Sequence, residues 1–301
     1  MIIIPPYLIK GDTIAITCPA GYMAAEKAAM CIHTLQTWGY EVMVGKTLGS
    51  NSENYFSGTD EERTDELQAM LDDRSISAIL FGRGGYGMGR IIDRLNFKKF
   101  RKHPKWLIGF SDITVLHMHL YNKYNIASMH APMAAAFNDG ENEFTHSLRF
   151  AMEGKKYSYH TVHHSYNRKG EVSGILIGGN LALLANIIGT PSDFDTRNKI
   201  FFIEDTGEYL YNLDRMLYQL KRSGKFNRPA ALILGGFTDM KDTERPFGKT
   251  TDEILKEITE AFEFPVCFDF PVSHVKENVA LKIGLTYHLK ITTKKTTLKE
   301  I

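Results

Sequence analysis

A serine stands where an apolar run of the chain ends. Residues 106–110 read Trp-Leu-Ile-Gly-Phe, and Ser111, Asp112 and a helical pattern follow them. A strand that turns sharply into a helix presents a serine hydroxyl beside the unpaired amide groups of the helix N-terminus, as nucleophiles of several hydrolases are presented. The match to G-x-S-x-G is partial, because Ile113 stands where the second glycine would be. Capping of the helix by the Ser111 side chain is the structural alternative.

A glycine-rich loop follows a second apolar run. Residues 82–90 read Gly-Arg-Gly-Gly-Tyr-Gly-Met-Gly-Arg. Because glycine has no Cβ, such a loop lets backbone N–H groups approach an anion closely. One interpretation is a phosphate cradle of the G-x-G-x-x-G kind, and another is an oxyanion hole for acyl transfer with Arg83 available to a substrate carboxylate. A third interpretation is a tight turn with a purely structural role.

Acidic residues follow the apolar run at residues 200–203, namely Glu204, Asp205 and Glu208. One of these carboxylates could orient a histidine, while another could cap the next helix or bind a substrate amine. Helix capping and surface charge are the alternative explanation for all three.

A histidine, His274, lies in a turn-rich stretch after an apolar run near residue 268. Lone histidines are mostly structural or surface residues, so His274 means little by itself. Its place in the order Ser111, Glu204, His274 is more informative, since serine, acid and histidine follow one another in this way in several hydrolase triads. Other histidines do not show the spacing of zinc ligands, so neither a metal site nor a cofactor is predicted.

The elements that must position these residues alternate along the first half of the chain. Strands and helices of this length predict βαβ units and a mostly parallel sheet. The predicted strands are 12–18, 40–44, 76–81 and 106–110, and the predicted helices are 23–38, 59–71 and 112–124. In the second half, strands are predicted at 175–177, 200–203 and 231–234, helices at 181–188, 211–222 and 251–262, and a terminal hairpin or edge strand at 286–298. We place a first domain at 1–155 and a second at 172–301.

Composition excludes several classes of protein. The 301 residues are 43% hydrophobic and 24% charged, which is ordinary for a globular protein and argues against disorder. Thirty-six basic and 35 acidic side chains leave a formal net charge of +1, so no global basic field favours nucleic acid. No window offers about 18 uninterrupted apolar residues, and three scattered cysteines suit reduced thiols. We expect a cytoplasmic protein that binds neither nucleic acid nor membrane.

Over nearly its whole length the sequence resembles the LD-carboxypeptidase family of serine peptidases, which includes muramoyl-tetrapeptide carboxypeptidases and microcin C self-immunity peptidases. Six motifs in the family's order carry the resemblance: 11–15, 83–87, 109–112, 178–181, 204–208 and 274–278. It implies a Rossmann-like N-terminal α/β domain, a smaller α/β C-terminal domain, a site between them and a homodimer. Two residues, Ser273 and Lys282, depart from a common family pattern of glycine and proline and bear on the substrate pocket.

The resemblance also implies roles for individual residues. Ser111 would be the nucleophile, His274 the base and Glu204 the acid that orients it. The backbone amides of Asp112 and Gly85 would form the oxyanion hole. We expect four further residues to bind substrate: Arg83, Gly84, Asn180 and Glu208.

The implied reaction is hydrolysis of the L,D peptide bond that releases a terminal D-alanine from murein tetrapeptide. Three alternatives stay open at this point. The protein could cleave a microcin C-like peptidyl nucleotide, it could bind murein peptides without catalysis, or it could bind a nucleotide through the glycine-rich loop.

Overall fold

The computed structural model describes residues 1–301, apart from the side chain of Asp139. In chain order the described strands and α-helices are β1 (Thr13–Thr17), α1 (Ala29–Thr37), β2 (Glu41–Val44), α2 (Asp60–Asp72), β3 (Ile76–Phe81), α3 (Met88–Ile91), β4 (Trp106–Gly109), α4 (Thr114–Tyr124), β5 (Ser128–His130), α5 (Glu143–Met152), β6 (Ser158–Val162), β7 (Gly170–Asn180), α6 (Leu181–Asn186), β8 (Lys199–Thr206), α7 (Leu210–Arg222), β9 (Ala231–Thr238), α8 (Thr251–Glu260), β10 (Val266–Cys267), β11 (Leu281–Ile283), β12 (Thr286–Ile291) and β13 (Lys295–Glu300). Among these described helices, none has the length and apolar character needed to cross a membrane.

The chain divides into two compact units. The first unit comprises Met1–Lys155 and Val279–Ile283, and the second comprises Lys156–Asn278 and Gly284–Ile301. Strand β11 therefore belongs to the first unit although it lies late in the chain. Each unit contains one sheet.

The sheet of the first unit has the strand order β11-β5-β4-β3-β1-β2. The strands from β5 to β2 run parallel, and only β11 pairs antiparallel, with Leu281 opposite His130. Ile79 and Leu80 of β3 are almost completely buried. Parallel strands are covered on both faces, which is why they appear in sequence as nearly continuous apolar runs. The predicted Rossmann-like α/β fold of the first half is confirmed.

Local sequence signals set the helix ends in the first unit. Thr59 and Glu62 form a capping box at the start of α2, since the Glu62 amide donates to Thr59 Oγ1 and the Thr59 amide donates to Glu62 Oε2. Helix α4 ends at Asn125, which has the left-handed conformation at φ 52°. The helix predicted from residue 112 begins instead as a 3-10 turn, Ser111–Ile113, and becomes α-helical at Thr114.

The sheet of the second unit has the strand order β10-β9-β8-β7-β12-β13-β6. Strands β7 to β10 are parallel to one another, whereas β12, β13 and β6 join antiparallel. The tail forms the predicted hairpin, but its strands lie inside the sheet, and β6 rather than the tail is the edge. Helix α7 buries an apolar stripe made by Leu213, Leu217 and Leu220. The second half is thus the predicted α/β unit.

Candidate active site

The turn after β4 places Ser111 in a conformation that side chains rarely adopt. Ser111 has φ 62°, in the left-handed region. The 3-10 turn is preceded by Phe110 and the α-helix by Ile113, and neither end has a side-chain cap. The alternative that Ser111 caps the helix is therefore wrong. A strained serine at a strand-to-helix turn is the arrangement that exposes a nucleophilic hydroxyl.

The glycine-rich loop packs directly against this turn. A Cβ added at Gly84 would lie 3.0 Å from Ser111 Cβ, 3.2 Å from Ser111 Oγ and 3.4 Å from the Asp112 amide nitrogen. The Gly84 carbonyl accepts a hydrogen bond from the Gly21 amide at 3.0 Å. A side chain at Gly84 would crowd the serine, so the absence of a Cβ lets the loop backbone pack directly against Ser111.

Gly85 is exposed in the same loop and has φ 95°. A Cβ at Gly85 would come within 2.9 Å of the Tyr55 hydroxyl. Tyr55 is 56% exposed and lies beside the loop, a place that the sequence patterns did not predict. No short-range signal links residue 55 to residue 85, because the contact depends on the pairing of Gly21 with Phe56.

The two arginines of the glycine-rich loop, Arg83 and Arg90, differ in their present partners. The exposed side chain of Arg83 donates to the Tyr22 carbonyl at 2.8 Å. Arg90 instead makes three hydrogen bonds to the Asp60 carboxylate, at 2.9, 3.1 and 2.8 Å. A single contact to a neutral carbonyl is more easily exchanged for a substrate than a charge-assisted pair, so Arg83 is the better candidate.

In the second unit, Glu204 and His274 form a short hydrogen bond. Glu204 lies near the carboxyl end of β8 with its side chain fully buried, and its Oε2 is 2.7 Å from His274 Nδ1. A carboxylate only accepts, so Nδ1 carries the proton and Nε2 is the acceptor of the neutral ring. This is the orientation of a general base held by an acid.

The carboxylates around His274 control its protonation. Burial lowers the pKa of His274, but the hydrogen bond and charge of Glu204 and the charge of Asp205 outweigh burial, so the pKa is raised. Burial, followed by the charge of Glu204, raises the pKa of Asp205 to about 7. Asp205 accepts from the Ala182 amide at 3.0 Å, in the first turn of α6. The next helix in the chain, α7, begins after Tyr209 without a side-chain cap, so the interpretation that one of these acids caps the next helix is wrong.

Two glycines that the sequence analysis overlooked bring the His274 segment to Glu204. A Cβ at Gly235 would lie 2.2 Å from the Val272 carbonyl oxygen and 3.0 Å from Glu204 Cβ, and one at Gly236 would lie 2.5 Å from Ser273 Cβ. The two glycines follow the apolar run of β9, and a glycine pair at that position is the sequence signal that could have indicated a close approach of another segment. A Cβ at either glycine would separate the two segments.

The remaining predicted residues lie as follows. The Asn180 side chain, 3% exposed, donates to Asp205 at 2.8 Å and accepts from the Leu183 amide. Glu208 accepts from Asn212 at 3.1 Å. Ser273 donates to the Glu277 carbonyl, and Lys282 is buried over the Tyr7 ring at 4.6 Å. Asn180 is thus engaged in structural contacts, and the substrate-binding predictions for Asn180 and Glu208 stay predictions.

His117 supports the end of β4 and does not form part of a metal cluster. It is fully buried between the Gly109 carbonyl and the Ser128 hydroxyl, with both contacts at 2.8 Å. Within the part of the chain that the structure describes, no three His, Cys, Asp or Glu side chains group as a metal site would require. The three cysteines are buried and unbridged.

Both halves of the chain match known domains. The LD-carboxypeptidase N-terminal domain matches residues 14–131, and the LD-carboxypeptidase C-terminal domain matches residues 173–289. The probable murein peptide carboxypeptidase of Bacillus subtilis is 33% identical, covering 93% of this chain and 89% of its own. The murein tetrapeptide carboxypeptidase of Pseudomonas aeruginosa is 30% identical, covering 91% of each.

A solved structure of a protein with a related name is also similar to this chain. The crystal structure of muramoyltetrapeptide carboxypeptidase from Oxalobacter formigenes matches with a TM-score of 0.86 at 30% identity, covering 96% of this chain and 98% of that one. Together with the two domain matches, this shows that the chain belongs to the LD-carboxypeptidase family of serine peptidases.

Proposed function

We propose that this protein is a serine carboxypeptidase that hydrolyses the L,D peptide bond of murein tetrapeptide and releases the terminal D-alanine. Relatives named for murein tetrapeptide and muramoyltetrapeptide support the substrate. The observation that carries the chemistry is the Ser111 turn, with its left-handed backbone packed against the glycine-rich loop. Family membership supports catalysis over a purely binding role.

The proposed mechanism is acyl transfer. His274 Nε2 takes the proton of the Ser111 hydroxyl, and Ser111 Oγ attacks the scissile carbonyl. Glu204 holds the imidazole and stabilises the imidazolium that forms. The tetrahedral oxyanion accepts hydrogen bonds from the amides of Asp112 and Gly85, each worth about 3–4 kcal/mol in comparable sites.

Collapse of the intermediate gives D-alanine, which leaves with the proton from His274, and an ester on Ser111. Water, deprotonated by His274, then hydrolyses the ester. In this proposal residues 1–155 contribute the nucleophile and residues 172–301 contribute the acid and the base. Arg83, Gly84, Asn180 and Glu208 are the proposed substrate contacts.

The direct test is incubation of the purified protein with murein tetrapeptide, followed by mass measurement of the products. We expect tripeptide and free alanine, and no products with the Ser111→Ala variant. An intact tetrapeptide together with cleavage of a peptidyl nucleotide would favour the microcin C-like alternative. Binding of tetrapeptide without cleavage would favour the non-catalytic one.

We also propose that the reaction needs neither metal nor cofactor, because serine, histidine and carboxylate side chains can perform every proton transfer. Prolonged chelation should leave kcat unchanged. Activity that chelation removed and zinc alone restored would contradict the proposed mechanism.

A homodimer in the cytoplasm completes the proposal. The resemblance to the family supports the dimer, and three buried, unbridged cysteines are compatible with a reducing compartment. Light scattering of the purified protein would measure the mass in solution, and a monomer would contradict the dimer.

A further inference from the structure

The peptide bond between Gly87 and Met88 is held by two buried charged side chains. It closes the glycine-rich loop and opens α3. Asp112 Oδ2 accepts a hydrogen bond from the Met88 amide at 2.7 Å. On the other side of the same peptide, Arg63 Nη1 approaches the Gly87 carbonyl oxygen at 3.4 Å. Asp112 and Arg63 are both 0% exposed.

Arg63 and Asp112 are both held by contacts around the loop. Arg63 also donates to the Pro19 carbonyl and pairs with Asp60. A Cβ at Gly87 would lie 2.8 Å from Arg63 Nη1, so the loop has no room to shift toward the arginine. A buried ion that loses its partner is costly, which makes this arrangement resistant to small displacements.

At neutral pH the Asp112 carboxylate that accepts the hydrogen bond from the loop is an anion. Burial raises its pKa to about 6, while the hydrogen bond from the Met88 amide and the charge of Arg63 act in the opposite direction. Hydrogen bonds to an ionised acceptor are roughly twice as strong as neutral ones. The carboxylate therefore anchors the loop more firmly than a neutral group would.

We propose that the Asp112 side chain is a positioning residue that fixes the spacing of the two oxyanion donors. One donor of the proposed oxyanion hole is the Asp112 amide itself, and the other is the Gly85 amide, two residues before Gly87. The carboxylate thus ties the turn that carries the first donor to the loop that carries the second. Oxyanion donors act only within a few tenths of an ångström of their working distance, so loss of this tie lowers kcat.

This inference rests on the proposed function, and the experiment is designed so that failure of the inference can be distinguished from failure of the proposed function. Asp112→Asn keeps an acceptor for the Met88 amide without the charge, and Asp112→Ala removes the acceptor. Asp193→Ala is the matched control, because Asp193 also accepts from loop amides, those of Gly189 and Phe194, but in the second unit. kcat and KM for tetrapeptide are measured beside wild type and Ser111→Ala, together with amide hydrogen exchange over residues 82–89.

We expect Asp112→Ala to lower kcat by about 100-fold at nearly unchanged KM, and Asp112→Asn to lower it by roughly tenfold. Exchange over residues 82–89 should accelerate in the same order. Asp193→Ala should change neither kcat nor that exchange. Wild-type kcat in Asp112→Ala, or an effect on KM alone, would overturn the inference.

Two further results are decisive. If Asp112→Ala does not fold, Asp112→Asn decides: a roughly tenfold lower kcat supports the inference and an unchanged kcat overturns it. If wild type leaves tetrapeptide intact, the proposed function fails, and hydrogen exchange, which needs no substrate, still decides whether Asp112 holds the loop.

Discussion

The contact between Glu204 and His274 sets the pH at which His274 is a free base. Since the pKa of His274 is raised above its ordinary value, the neutral imidazole is lost at a higher pH than in an unpaired histidine. kcat/KM should therefore fall toward acid through a pKa above about 6.5. Asp205, with its pKa of about 7, titrates in the same region, and its charge also raises the pKa of His274.

Glu204→Gln should move this acid limb to lower pH, because the variant removes the hydrogen bond and charge that raise the pKa of His274. It should also lower kcat by about three to four orders of magnitude, because the imidazolium loses its partner. The measurement is kcat/KM against pH. Glu171→Gln is the control, since Glu171 meets His288 at 3.1 Å on the surface of the same unit. An unmoved acid limb in Glu204→Gln would refute the assignment of that limb to His274.

Gly84→Ala should disable the enzyme without unfolding it. The new methyl group would lie 3.0 Å from Ser111 Cβ and 3.4 Å from the Asp112 amide nitrogen. We expect kcat to fall at least about 100-fold, with about 1–3 kcal/mol lost in the free energy of unfolding from overpacking. Gly89→Ala is the control in the same segment, because nothing lies within 4 Å of its Cβ position. Wild-type kcat in Gly84→Ala would show that the loop does not limit the site.

At the scale of elements, the sequence predicts the helices and strands whose patterns depend only on residues close together in the chain. The helix predicted at 59–71 and the strand predicted at 76–81 are confirmed to within one residue at each end, because the signals of each lie within a few residues of one another. Strand β11, three residues long, was not predicted, since its pairing with β5 depends on residues about 150 positions away. The interior place of the terminal hairpin was missed for the same reason.

The candidate site follows the same division. Ser111, Glu204 and His274 could be selected from the sequence, because each follows an apolar run. The glycine pair at 235–236 was visible, but the segment packed against it was not, since that contact joins β9 to residues 272–273. The contacts of Asp112 and Arg63 with the Gly87–Met88 peptide could not be predicted from the sequence either, because Arg63 lies on α2, far from the loop in sequence.

The burial of His117 beside the end of β4 should make stability depend on pH. Burial lowers the pKa of His117 to about 4, so below about pH 6.5 the unfolded chain takes up a proton that the folded chain does not. The free energy of unfolding should therefore lose roughly 3 kcal/mol from this residue as the pH falls from 7 to 4. Asp112 and Asp205 have raised pKa values and act in the opposite direction.

A comparison of wild type with His117→Gln isolates this contribution. Urea unfolding between pH 7 and pH 4 should show the variant less stable at pH 7, by about 1–3 kcal/mol, because the buried Gly109 and Ser128 partners are less well satisfied. The difference should shrink as the pH falls. A constant difference across the range would mean that His117 titrates normally in the folded protein.

At the scale of the whole molecule, charge indicates how substrate is recognised. A formal net charge of +1 on 301 residues provides no long-range field to attract an anionic peptide. Recognition of a terminal carboxylate must therefore come from a local cation, and the exposed Arg83 is the proposed one. A carboxypeptidase differs from an endopeptidase in this contact, so the free terminus decides the assignment.

Three peptides test this contact: the tetrapeptide, its C-terminal amide and the form ending in L-alanine. Amidation removes the charge, so we expect kcat/KM to fall roughly 30- to 150-fold, the equivalent of about 2–3 kcal/mol for a hydrogen bond to a charged group. Inversion to L-alanine should also lower it, because either the scissile carbonyl or the carboxylate leaves its partner. In Arg83→Gln the gap between acid and amide should narrow, since the cation that distinguishes them is gone. Equal rates on the acid and the amide in wild type would leave a serine hydrolase but remove the carboxypeptidase assignment.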